Sequence, residues 1–108
     1  MDGLRLVRRV YPAESAAGLK LLVSRLIAAA PRTCALLAST AEEPARLVMA
    51  RSRGLPIDCG AALRRALEGY GVRAGGSPEI AQGQIGAVHL EAVFDLLTAQ
   101  INKERSGW

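Results

Sequence analysis

Few side chains in this chain have types and spacing suited to chemistry. It holds one histidine, His89, and two cysteines, Cys34 and Cys59. A zinc site wants four such ligands, commonly paired a few residues apart. These two cysteines are far apart and show no ligand spacing. His89 stands beside the first turn of a helical stretch with no nucleophile or paired acid, so acid–base work has no second partner. Cys59 falls at a helix N-terminus, a position that reactive thiols use. It also shares an apolar face with Ala62 and Leu63 and reads as a small buried hydrophobe. Cys34 lies inside a β run and reads as core. No phosphate loop ending in lysine, no serine–histidine–aspartate set and no carboxylate pair at helical spacing is present. The expectation is a chain with no catalytic residue, no metal and no cofactor, and so no enzyme by itself.

What remains is cationic charge and glycine. The formal net charge is +4. Residues 1–73 carry twelve Arg or Lys against six Asp or Glu, whereas residues 74–108 carry Lys103 and Arg105 against Glu79, Glu91, Asp95 and Glu104. A local basic excess attracts polyanions, and it also serves as ordinary solubilising surface. The second feature is AGGSPEIAQGQIGA, residues 74–87, with Gly75, Gly76, Gly83 and Gly86. Glycines there adopt backbone angles closed to other residues and let a partner come near the main chain.

The elements that must position these groups follow from periodicity. Residues 4–11 are rich in branched side chains with partial alternation and read as a strand that Pro12 ends. Residues 15–30 place Leu19, Leu22, Val23, Leu26, Ile27 and Ala30 on one helical face, and Pro31 stops the helix. Thr33–Ser39 is a compact apolar run suited to a buried strand. Residues 41–44 form a turn, and 46–53 a strand hairpin-paired with the one before. Asp58 is the predicted N-cap of the next helix, with Cys59, Ala62, Leu63, Ala66, Leu67 and Tyr70 inward. Gly69 and Gly71 end it, where left-handed angles are needed. Residues 80–87 form the last strand, and 89–103 a helix with Leu90, Val93, Phe94, Leu97 and Ile101 inward. The expected fold is one α/β domain over residues 1–108, a mixed sheet with packed helices in the order β-α-β-β-α-β-α.

Composition sets the outer bounds. The chain has 108 residues, half of them hydrophobic and only 4% aromatic. The core must come from Leu, Val, Ile and Ala, and stacking platforms for bases are not expected. The longest apolar stretch, 26–38, is broken by Pro31 and Arg32, and no segment resembles a membrane span or a signal peptide. Two cysteines make no disulfide framework, which points to a reducing cytoplasmic setting.

The glycine stretch has a more specific setting. Gly75-Gly76 is followed by Ser77-Pro78-Glu79-Ile80-Ala81-Gln82-Gly83, and preceded by ARSRGLPIDCGAALRRAL at residues 50–67. This pattern resembles the C-terminal domain of alanyl-tRNA synthetases and of the longer free-standing alanyl-tRNA editing proteins. They belong to the wider DHH-associated domain family, also found behind the catalytic core of RecJ-type phosphoesterases. The resemblance spans nearly the whole chain, and residues 50–84 carry its specific part.

The resemblance implies a tRNA-binding accessory domain without chemistry of its own. The parent protein, where longer, would be an alanine-tRNA ligase or an aminoacyl-tRNA hydrolase with its catalytic domain upstream. Editing relatives keep a zinc site of histidines and a cysteine in a separate domain, and this chain has too few such residues to hold it. The implied nucleic-acid contacts are Arg51, Arg53, Arg64, Arg65 and Arg73, with Gly75, Gly76 and Ser77 giving backbone approach. Phosphoesterase members place a histidine after the glycines, where this chain has Ser77. The alternative reading is the substrate-binding domain of a DHH-type phosphoesterase acting on short oligonucleotides or cyclic dinucleotides. A third is a dimerisation module using an apolar sheet edge or the last helix, which would make the chain a homodimer. Each arginine also fits a solvated surface charge, and the glycine loop also fits a turn that packs the last strand.

Overall fold

The protein is described by a computed structural model over residues 3–105. Its elements are β1 (Arg5–Tyr11), α1 (Ala16–Ala29), β2 (Thr33–Ser39), β3 (Ala45–Arg51), α2 (Cys59–Glu68), β4 (Ala74–Gly76), β5 (Ile80–Ile85), a 3₁₀ turn (Ala87–His89) and α3 (Leu90–Arg105). The strands form one mixed sheet in the order β1-β2-β3-β5-β4. β1 runs parallel to β2, and every other pair is antiparallel.

β2 is buried at all seven positions, as an apolar strand covered on both faces must be. Its alternate side chains serve two cores. Ala35 and Leu37 join Val7, Val48 and Ala50 under α1, against Leu19 and Val23. Cys34, Leu36 and Ala38 turn the other way and join Met49, Leu63, Leu67, Val93, Phe94 and Leu97 under α2 and α3. The period of two along each strand thus sorts residues between one helix and two. All five residues expected inward on α3 are buried, and on α2 all but Tyr70, which is half-buried and packs against the His89 ring.

α1 and α2 both start on side-chain caps. Ser15 Oγ accepts from Gly18 N–H, and the Asp58 carboxylate accepts from Ala61 N–H. α1 has no glycine at its end. There Ser52, from just beyond β3, bonds the carbonyls of Ala30 and Ile27 and also accepts from Thr33 N–H.

Two expectations need correction. The sequence reading placed no strand between α2 and residue 80, but Ala74–Gly76 pairs with β5 and forms the sheet's far edge. Three residues with two glycines carry no strand periodicity, so only the pairing with β5 makes the element. Gly69 was expected to be left-handed, but it has φ −63° and stays helical. Gly71 alone makes the reversal, at φ +69°.

Candidate nucleic-acid interface

Four of the predicted contact residues line two separate surfaces. The first is an open groove of about 640 Å³ between α2 and the far edge of the sheet. Arg64 and Arg73 line it with Glu68, Gly71, Val72 and Ala74. Arg64 and Glu68 are one helical turn apart and so share a face. Both arginines are exposed. Arg65, one position on, is exposed but does not line the groove. The reading from sequence missed Glu68 as part of this wall, although its spacing from Arg64 carried the signal.

The second surface lies at the end of β3. Arg51 and Arg53 line it with Ser52, Glu79, Ile27 and Pro31. Arg53 is exposed, but Arg51 is turned inward. Its Nε donates to the Ile57 carbonyl at 2.5 Å, and its guanidinium also donates to the Ser52 carbonyl at 3.2 Å. Arg51 therefore holds the 52–58 connection in shape.

The glycine loop lies against the start of α2. Cys59 N–H donates to the Pro78 carbonyl at 2.9 Å, and Gly60 N–H to the Ser77 carbonyl at 3.1 Å. The free N–H groups of a helix N-terminus commonly attract anions. Here the chain's own carbonyls and the Asp58 carboxylate occupy three of them. A side chain at Gly60 would sit 3.0 Å from the Gly76 carbonyl and 3.2 Å from that of Ser77, so the close seat of loop on helix depends on glycine there.

Gly75 and Gly76 differ sharply. A Cβ on Gly75 would meet nothing within 4 Å. A Cβ on Gly76 would collide with the Ile80 carbonyl oxygen and lie 2.5 Å from Ala81 Cα, at φ +140°. Gly76 thus makes a structural turn, and Gly75 is the position open to approach. Ser77 is occupied locally, since its hydroxyl accepts from Glu79 N–H at 3.3 Å and Ile80 N–H at 3.2 Å.

Cys34 and Cys59 are both fully buried. The hydrogen bond between the two thiols, and then burial, push the Cys34 thiol far above its ordinary range. Among the described residues no group of three metal-ligating side chains comes together. None of the described helices is long and apolar enough to cross a membrane.

This arrangement has counterparts among solved structures. The C-Ala domain of Aquifex aeolicus alanyl-tRNA synthetase superposes with a TM-score of 0.77 at 18% identity, covering 88% of each chain. This chain has the C-Ala fold. RecJ of Thermus thermophilus, in complex with Mn²⁺, contains the same fold, with a TM-score of 0.74 and 18% identity over 91% of this chain. A second RecJ structure bound to manganese gives 0.72 at 18% identity over 93%. This chain spans only 14% and 24% of those two proteins. No protein-family profile matches the sequence, and no curated protein does. At these identities the likeness is one of fold, and it includes both branches that the glycine motif resembles.

Proposed function

We infer that residues 1–108 act as one tRNA-binding accessory domain, of the kind an alanyl-tRNA synthetase or an alanyl-tRNA editing protein carries. A linked catalytic domain in the cytoplasm would perform the chemistry. The observation that carries this reading is the groove at the far sheet edge. There Arg64 on α2 and Arg73 before β4 share one exposed wall, and Gly75 beside it leaves the backbone open. Cations from a helix neutralise phosphates, while an uncovered strand lets a sugar–phosphate chain come close. The C-Ala likeness supports the same reading. Arg53 is a candidate for peripheral contact. Arg65 belongs to the long-range field more than to the groove.

RecJ supplies the competing reading, a clamp for short oligonucleotides. Ser77 weighs against it, because its hydroxyl is held inside its own turn by the Glu79 and Ile80 N–H groups. The test is a salt titration of binding to an alanine tRNA transcript. Affinity falls steeply with salt if the groove meets phosphates. A flat titration, or no binding at low salt, refutes a nucleic-acid role. Tighter binding to short oligonucleotides than to tRNA favours the RecJ-like reading.

A further inference from the structure

The other edge of the sheet carries a different surface. Among the described residues, β1 has β2 on one side and no strand on the other. Arg5 N–H donates to the Arg32 carbonyl, and the Tyr11 carbonyl accepts from Thr40 N–H. In a parallel ladder this register turns the main-chain groups of residues 5, 7, 9 and 11 toward β2. Those of Leu6, Arg8 and Val10 point out at the free edge as alternating donors and acceptors. Natural proteins guard such an edge, because it is a template for another strand.

The side chains around this edge differ between its faces. On the α3 side an open groove of about 430 Å³ lies beside the strand's second half, lined by Val10, Ala87, Leu90 and Phe94. Val10 is 49% exposed. Glu91 also lines the groove and disfavours acidic side chains on that face. Arg8 is engaged there, with its guanidinium on Asp95 at 2.9 Å and over the Phe94 ring. On the α1 side, alternation brings out Arg5 and Arg9, both exposed and without an ion-pair partner among the described residues, and Arg9 also borders the groove.

We propose that the β1 edge docks an extended peptide segment whose side chains alternate acidic with apolar, adding a sixth strand to the sheet. The acidic side chains pair with Arg5 and Arg9, and the apolar ones enter the Val10–Leu90–Phe94 groove. Only another peptide backbone matches alternating N–H and C=O groups. A phosphate chain has no donors for the three carbonyls. A second copy of this chain fits poorly, since self-pairing sets two arginine rows against each other.

The probe is a short, capped peptide alternating glutamate with valine, labelled for fluorescence anisotropy and added to the full chain. Bound peptide should protect the Leu6, Arg8 and Val10 amides from hydrogen exchange, and not those of β4. Replacing its glutamates by lysine should weaken binding about tenfold or more, as should the double variant Arg5→Glu, Arg9→Glu. N-methylating the peptide at alternate residues in one register should abolish binding, and in the other register leave it intact. That contrast needs no protein variant and so cannot be lost to misfolding. The proposal is overturned if both N-methyl registers bind alike or if no peptide binds. It is overturned equally if single-stranded RNA protects the same amides, or if sedimentation shows the edge already occupied by a second copy.

Discussion

Replacing Gly76 by alanine should damage the fold, while the same change at Gly75 should not. At Gly76 the new methyl meets the Ile80 carbonyl and the Ala81 backbone, neither of which is a flexible side chain. A non-glycine residue at such a φ costs about 1–3 kcal/mol. The struck carbonyl is also the acceptor for Ser77 N–H at 2.8 Å. Displacing it loses a hydrogen bond worth about 0.5–1.5 kcal/mol. The sum, about 2–4 kcal/mol, is a large share of the roughly 5–15 kcal/mol that holds a domain together. In urea it corresponds to a midpoint lower by about 1–2 M. Gly75→Ala faces open space, so its stability should stay within about 0.5 kcal/mol of the wild type. Gly75→Val tests function, because a branched side chain there crowds the open approach without touching the turn. It should weaken tRNA binding while the urea midpoint changes little. For Gly76→Ala, affinity should fall only as far as the folded fraction does. Equal urea midpoints for Gly76→Ala and the wild type would refute the assignment of Gly76 to the turn.

Other changes test other parts of the molecule. Arg64→Ala with Arg73→Ala should lower the salt slope of tRNA binding by about two units if each touches one phosphate; Arg65→Ala should lower it by less, and equal slopes would separate the groove from RNA contact. Arg51→Ala should act on stability before binding, costing about 1–3 kcal/mol in urea, because two carbonyls lose a charged donor; an unchanged midpoint with weaker RNA binding would reverse that assignment. Ser52→Ala leaves the buried Thr33 N–H without its acceptor and should cost about 1–3 kcal/mol, read by thermal melting. The Cys34 thiol is held protonated in the folded state, so its contribution is fully present below the ordinary value of 9.0 and is lost as pH rises above it, when the unfolded thiol ionises and the folded one does not. The unfolding free energy from urea titration should therefore decline above that pH by up to about 1.4 kcal/mol per unit, with Cys34→Ala flattening the decline.

The sequence by itself determined whatever depends on local periodicity. The apolar spacing on α2 and α3, the unbroken apolar run of β2 and the Asp58 cap are one-dimensional signals. They act through residues three, four or two positions apart, and the structure bears them out. The glycine motif was also legible as something unusual, and so was its likeness to the alanyl C-terminal domain. Tertiary structure decided what each glycine and arginine does, because that depends on atoms from other elements. Gly75 and Gly76 are adjacent and chemically identical, yet β5 closes in on one and leaves the other open. Arg51 and Arg53 are two residues apart, yet the Ile57 carbonyl turns the first inward while the second stays exposed. Arg64 and Arg73 are brought together only because α2 reverses at Gly71 and lays β4 along the sheet edge. Charge and conformational freedom are written in residue types, but which of them stays exposed is settled by packing across the sheet.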